Sequence, residues 1–127
     1  RSCLVGSEMC IRDREIRGLA MIGSDRIAVA AQDGTLAVVD ARSGTLVWSV
    51  DTYDGGLSSV AVNPDGDRIA VGDTEFNVRL FDARRGDELM LVGRHDSFVT
   101  GVAFSPDGER LASSGFDRVV RVWETGD

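Results

Sequence analysis

His95 is the only histidine in the chain and therefore the first residue to test for chemistry. A histidine can activate a serine nucleophile, but hydrolases that work this way place the serine in a sharp Gly-x-Ser-x-Gly turn, and the sequence contains no such pattern. The chain also has no lysine, which excludes a Schiff base and a phosphate-binding Gly-Lys-Ser/Thr loop. We therefore expect no catalytic residue, no cofactor and no enzymatic activity.

Asp65 and Asp67 have the alternate spacing of the first two ligands in a calcium-binding loop. An EF-hand loop that began at residue 65 would need glycine at position 70 and glutamate at position 76. Ala70 and Phe76 occupy those positions. We expect solvated turn carboxylates here, and the sequence predicts no metal site.

Both cysteines, Cys3 and Cys10, fall in the segment 3–14, which is CLVGSEMCIRDR. Read back into codons in a single frame, this segment resembles the adaptor of a transposase-based sequencing library. We interpret residues 1–14 as an adaptor-derived, non-native segment and exclude them from the fold. A disulfide or metal role for the two cysteines is set aside with them.

The formal net charge of -7 opposes binding to the phosphate backbone of nucleic acids, which requires clustered cationic side chains. No run approaches the roughly 20 apolar residues that cross a bilayer. We expect a protein partner rather than nucleic acid or membrane, and a cytoplasmic location. Because all 14 basic residues are arginine, we expect a GC-rich, bacterial coding sequence.

The remaining chain repeats with an offset of 42, from 25 to 67 and from 67 to 109. The segment DRIAV at 25–29 recurs at 67–71 and, more loosely, as ERLAS at 109–113. A fixed period of this length indicates a repeat architecture. The same offset relates three acids at equivalent turns: Asp33, Glu75 and Asp117.

Each unit contains short runs of β-branched and aromatic residues bounded by turn formers, which predicts short strands. In the second unit these strands are expected at 59–62, 68–72, 77–82 and 88–92. Four short antiparallel strands per repeat of about 40 to 45 residues are typical of a β-propeller blade. We predict an all-β partial propeller with blades at about 15–52, 53–94 and 95–127, the last blade lacking its outer strand.

The third unit contains Arg94-His95, a Ser-Pro-Asp-Gly turn at 105–108, and Trp123-Glu124. With these residues the segment 15–127 resembles the WD-repeat family, whose pattern has a Gly-His pair, the same turn and a closing Trp-Asp. Arg94 stands where the family has glycine, and Glu124 stands where it has aspartate. The resemblance implies a protein-interaction scaffold, held by a hydrogen-bonded chain of four residues: His95, Ser113, Asp117 and Trp123.

The first two units depart from this pattern. Tyr53 stands at the histidine position of the second unit, and Val39 and Phe81 stand at the tryptophan positions. We therefore expect the turn acids Asp33 and Glu75 to act only as turn caps.

Two aromatic residues of the third unit are candidates for partner binding. Phe98 precedes the first strand of the unit, and Phe116 precedes the turn acid Asp117. Propellers bind partners through loops at the ends of their blades, so both residues map to the loop-bearing top face. The alternative is that each ring packs between neighbouring blades.

The first unit is also similar to quinoprotein-type propellers, whose strands end in Leu-Asp-Ala-x-Thr-Gly-x-x-x-Trp. The segment 39–48, VDARSGTLVW, carries this similarity. It implies a second possibility, an oxidoreductase with pyrroloquinoline quinone or an outer-membrane assembly lipoprotein. The turn at 105–108 and His95 favour the WD-repeat interpretation. We expect a piece of a larger protein, with the partner, the blade number and the oligomeric state left open.

Overall fold

The computed structural model describes residues 16–52 and 55–124, so the adaptor-like segment lies outside the described residues. The first sheet contains β1 (Ile16–Ile22), β2 (Arg26–Ala31), β3 (Thr35–Asp40) and β4 (Leu46–Asp51). The second contains β5 (Leu57–Val62), β6 (Arg68–Asp73), β7 (Asn77–Asp82) and β8 (Glu88–Arg94). The third contains β9 (Val99–Phe104), β10 (Arg110–Gly115) and β11 (Val120–Glu124).

Within the described residues the sheets have four, four and three strands, and every pairing is between antiparallel neighbours in the sequence. The predicted all-β fold with three antiparallel, blade-like sheets is confirmed. The strands of the second sheet run further than expected, to Leu57 and Arg94, because bulges in β5 and in the β7–β8 pairing let the ladder continue. No helix in the described part of the chain could cross a membrane.

The first hairpin of the second sheet shows how local chemistry ends its strands. The Asn63 Oδ1 atom accepts the backbone N–H groups of Asp67 and Arg68, each at 3.0 Å. Gly66 has a φ of 74°, in the left-handed region that glycine adopts without steric cost. The equivalent turn of the third sheet has Gly108 at a φ of 75°. This shared geometry keeps β5–β6 and β9–β10 in matching registers.

The sheets pack face to face through two interfaces that repeat the same positions. Sheet one contributes Ala28, Leu36 and Val38 to the first interface, and sheet two contributes Ala70, Val78 and Leu80 to the second. Each residue of the second set lies 42 positions after one of the first. The opposing sides match as well: Leu57, Val60, Val62 and Ile69 in the first interface, and Val99, Val102, Phe104 and Leu111 in the second.

The same positions are uncovered at both outer faces of the described sheets. On sheet three Val120 and Val122, the equivalents of Val78 and Leu80, are 68% and 62% exposed. On sheet one Leu19 and Met21 are 65% and 52% exposed. They correspond to Val60 and Val62, because the first hairpin is one residue shorter. The exposed face of sheet one and the exposed face of sheet three therefore carry the two complementary sets of residues that pack together in both sheet–sheet interfaces. We call them the two open faces.

Candidate functional site

Four side chains of the third sheet form one hydrogen-bonded chain at the end of the sheets where β8 leads into β9. His95 follows β8, and its Nε2 atom lies 2.7 Å from the Ser113 Oγ atom on β10. The Nδ1 atom of the same ring lies 3.1 Å from Asp117 Oδ2, in the turn between β10 and β11. The Trp123 Nε1 group on β11 donates to the same Ser113 Oγ at 3.0 Å. The structure therefore brings together all four residues that the sequence grouped.

The proton positions follow from what each group can donate. The Asp117 carboxylate can only accept, so His95 Nδ1 carries a proton and donates it to Asp117. An indole N–H can only donate, so the Ser113 hydroxyl accepts from Trp123. With the single ring proton of a neutral imidazole on Nδ1, the Nε2 atom accepts the proton of the Ser113 hydroxyl. Both ring nitrogens of this buried histidine are occupied by the fold. The His95 side chain is fully buried.

The Asp117 carboxylate is held in its ionised form. The backbone N–H of Asp96 donates to it at 2.9 Å, and this bond is the largest cause that lowers the pKa of Asp117 from 3.8 to about 2. The bonds from His95 and from the backbone of Val119 lower the pKa further, while desolvation opposes them. One carboxylate thus joins the β8–β9 loop, the β10–β11 turn and the imidazole.

Gly115 permits this close approach. A Cβ atom at residue 115 would lie 2.8 Å from His95 Nδ1, 2.9 Å from Asp117 Oδ1 and 3.0 Å from the carbonyl oxygen of Phe98. Real Cβ atoms essentially never come closer than 3.0 Å to another heavy atom. The hydrogen-bonded chain therefore requires glycine at the end of β10.

An aromatic row, which we call the aromatic platform, lies beside this chain and consists of Phe76, Phe98 and Phe116. The ring centroids of Phe76 and Phe98 are 6.1 Å apart, and those of Phe98 and Phe116 are 5.6 Å apart, both in tilted arrangements. Phe98 is 44% exposed and Phe116 is 67% exposed. The sequence left open whether the Phe98 ring packs between blades or is exposed to a partner. The ring contacts loops of two sheets and is also partly exposed to solvent.

Backbone hydrogen bonds fix the three loops that carry the platform. The N–H of Phe116 donates to the carbonyl of Phe98 at 2.9 Å, and the N–H of His95 donates to the carbonyl of Phe76 at 2.8 Å. The hydrogen-bonded chain of His95 and Asp117 lies on the same two loops of sheet three. The rings are therefore presented by a rigid frame rather than by free loop tips.

Phe76 was missed as a site residue by sequence reasoning, which used it only to exclude a calcium loop. It adopts a φ of 77°, and the equivalent residues Gly34 and Arg118 have φ values of 95° and 68°. The left-handed conformation costs a residue with a side chain about 1–2 kcal/mol. The signal was present in the sequence: the 42-residue offset aligns Phe76 with Gly34. A residue kept in a strained conformation is a reason to look for function there.

The turn of sheet two differs from the expected one. Glu75 was predicted to cap it, but the buried Asp73 does so, since its Oδ1 atom accepts the N–H groups of Glu75 at 3.0 Å and Asn77 at 2.8 Å. Asp73 stands at the position equivalent to Gly115. Sheet two has no histidine beside this position, so a side chain fits there. In sheet one Asp33 caps its turn by accepting the Thr35 N–H at 3.0 Å. Tyr53 lies outside the described residues.

Comparisons with known proteins place most of the chain in two family models. A family model described as WD domain, G-beta repeat, matches residues 86–124. A second, described as the Anaphase-promoting complex subunit 4 WD40 domain, matches residues 23–96. No curated protein matches the chain. The first match contains the whole hydrogen-bonded chain of sheet three, and the second spans more than half of the sequence.

Proposed function

The chain belongs to the WD-repeat family, and from that premise we propose that it is a non-enzymatic scaffold that binds a protein partner on the aromatic platform. The observation that carries the proposal is the exposure of Phe98 and Phe116 on loops that backbone hydrogen bonds hold in place. WD-repeat propellers commonly serve as protein-interaction scaffolds, which supports the general role.

The energetics of interfaces support this choice of surface. Aromatic side chains are over-represented among the residues that dominate binding energy, and truncation of such a residue costs about 2 kcal/mol or more. Binding to a surface that is already ordered avoids the entropic cost of fixing loops and side chains. The platform offers both features, because its rings contact one another and its loops share hydrogen bonds.

The histidine network has a supporting role in this proposal. It connects the β8–β9 loop to the β10–β11 turn through His95 and Asp117, and these two segments carry Phe98 and Phe116. A nucleophile or general base would need a ring nitrogen or hydroxyl that faces substrate, whereas the His95 and Ser113 side chains are buried and the Ser113 hydroxyl also accepts from Trp123. We therefore assign the network to positioning the platform.

Selection from a random peptide display library would test the proposal, because such a library samples many partner sequences at once. The chain serves as bait, and enriched peptides are measured against the double variant Phe98→Ala/Phe116→Ala. We expect at least about tenfold weaker binding to this variant, equal to about 1.4 kcal/mol.

The matched control is Leu89→Ala/Met90→Ala, which removes two half-exposed apolar side chains at the start of β8, at the other end of the sheet. Near-UV circular dichroism checks that each variant keeps its fold. Enriched peptides that bind the platform variant as tightly as the unchanged chain would refute the proposal.

A further inference from the structure

The charges around the aromatic platform differ from the charge of the chain as a whole. The chain carries -7, but a charge more than about 8–10 Å away is largely screened at physiological salt. A partner on the platform therefore responds to the nearest charged groups. In the described residues these groups are Asp73, Glu75, Arg94, Asp96, Asp117, Arg118 and Arg121.

The carboxylates in this set differ in how far they face the platform. The buried Asp73 accepts the backbone N–H groups of Glu75 and Asn77. Asp117 accepts two backbone N–H groups and the imidazole proton, and Arg121 Nη2 lies 3.7 Å from both Asp117 Oδ2 and Asp96 Oδ2. The Glu75 side chain leans toward Gly55, on the side of sheet one: an added Cβ atom at Gly55 would lie 3.2 Å from its Oε2 atom. Asp117 is thus turned inward and Glu75 away from Phe98 and Phe116, while the exposed Asp96 carboxylate lies beside Arg121.

Two arginines, by contrast, keep donors for a partner. The Arg94 guanidinium lies over the Phe76 ring, with Cζ 5.9 Å from the ring centroid, and its Nη2 atom donates to the Glu75 carbonyl at 3.2 Å. A guanidinium has five N–H donors, so most of them remain free to bind. Arg118 is exposed two residues after Phe116, and within 16–52 and 55–124 its guanidinium has no partner.

We propose that the platform binds a partner segment that combines an apolar or aromatic side chain with carboxylates. The apolar group covers Phe98 and Phe116, and a carboxylate accepts N–H donors of Arg94. This geometry suits a carboxylate, because a planar guanidinium can donate two parallel hydrogen bonds to its two oxygens. The inference rests on the proposed function and names the chemistry of its partner.

Arg94 departs from the family pattern in a way that supports the inference. It stands where the family pattern has glycine, and Phe76 stands where the first repeat has Gly34. The structure places the two substituted side chains in contact. The stack and the bond to the Glu75 carbonyl hold the guanidinium at one edge of the platform, so less side-chain entropy is lost when it binds.

Three short fluorescent peptides with the same central Phe-Leu pair test the inference by fluorescence polarisation. The acidic probe flanks the pair with Asp and Glu, the basic probe with Lys and Arg, and the neutral probe with Ser and Gln. We expect the acidic probe to bind most tightly. Arg94→Gln should weaken the acidic probe about fivefold and leave the neutral probe unchanged.

Arg85→Gln is the matched control, because Arg85 is an exposed arginine in the β7–β8 turn at the far end of the sheet. Tighter binding of the basic or neutral probe, with loss on Phe98→Ala/Phe116→Ala, would overturn the inference and leave the proposed function standing. Equal affinity of the probes for the unchanged chain, for Phe98→Ala/Phe116→Ala and for Arg94→Gln would also overturn the inference. The display selection then tests the proposed function separately.

Discussion

His95 Nδ1 and Asp117 Oδ2 lie 3.1 Å apart although 22 residues separate them in the chain. The contact crosses from the loop after β8 to the turn after β10, and it joins the end of sheet two to the tip of sheet three. Because the carboxylate also accepts the Asp96 N–H, the contact positions backbone as well as side chain. The order of the aromatic platform is therefore expected to depend on groups that are not themselves part of it.

Ser113→Ala should destabilise the fold by about 2–4 kcal/mol. The substitution leaves Trp123 Nε1 and His95 Nε2 without their shared partner, and each unsatisfied buried group costs about 1–3 kcal/mol. Urea denaturation followed by tryptophan fluorescence measures the loss. Ser114→Ala is the control, because in the part of the chain that the structure describes its hydroxyl hydrogen-bonds only the exposed Thr100 hydroxyl, at 3.0 Å. Equal effects of the two substitutions would contradict the assigned network.

Asp117→Asn should remove part of the pH dependence of stability. The pKa of Asp117 is about 2 in the folded chain, below its ordinary value of 3.8. Ionised Asp117 therefore stabilises the fold above about pH 4, and this contribution is lost as the pH falls toward 2. We expect the stability difference between the unchanged chain and Asp117→Asn to shrink over that window. The matched control is Asp65→Asn, at an exposed turn carboxylate. A stability difference for Asp117→Asn in urea that stays constant between pH 4 and pH 2 would contradict the prediction.

Gly115→Ala should disrupt the network without removing any of its members. The new methyl group would press on the His95 imidazole and the Asp117 carboxylate at distances below 3.0 Å. We expect a loss of about 1–3 kcal/mol, the usual cost of overpacking, together with weaker binding of platform ligands. Gly101→Ala is the comparison, since its closest contact would be the Ser114 hydroxyl at 3.3 Å. The prediction fails if thermal unfolding ranks the two variants in the opposite order.

Phe76→Gly should be more stable than Phe76→Ala. Both variants lose the ring and its contacts with Phe98 and Arg94, so the difference between them isolates the backbone strain at a φ of 77°. Relief of the left-handed conformation is worth about 1–2 kcal/mol, partly offset by the greater freedom of glycine in the unfolded chain. A net gain of up to about 1 kcal/mol in urea denaturation is expected. A less stable glycine variant would contradict the strain at this residue.

The chain should self-associate through its two open faces. Leu19 and Met21 on sheet one complement Val120 and Val122 on sheet three, because equivalent residues pack together inside the fold. Large exposed apolar faces and unpaired strand edges recruit other chains. Light scattering after size exclusion should show oligomers that dissociate in Leu19→Asp or Val122→Asp but persist in Leu89→Asp, on the outer strand β8. A monodisperse monomer of the unchanged chain would refute this prediction.

The sequence by itself determined the repeated sheets and their turns. Strand alternation and turn chemistry are local, so the recurrence of DRIAV and of the Pro-Asp-Gly turns with an offset of 42 was enough to predict antiparallel sheets. It also grouped His95, Ser113, Asp117 and Trp123, through the resemblance to a known family. These features do not depend on how one sheet sits against the next.

The tertiary structure decided which side chains meet between sheets. Phe76 lies in the β6–β7 turn, Arg94 ends β8 and Phe98 lies in the β8–β9 loop. Their contacts depend on a left-handed turn at Phe76 and on the packing of sheet three against sheet two. Asp73 and Gly115 occupy equivalent positions in sheets two and three. In sheet three a side chain at this position would collide with His95, whereas in sheet two the position holds Asp73, which caps the turn in place of Glu75. Such contacts depend on backbone strain, on burial and on distances between sheets. The repeat period in the sequence shows which positions are equivalent but gives none of these three quantities.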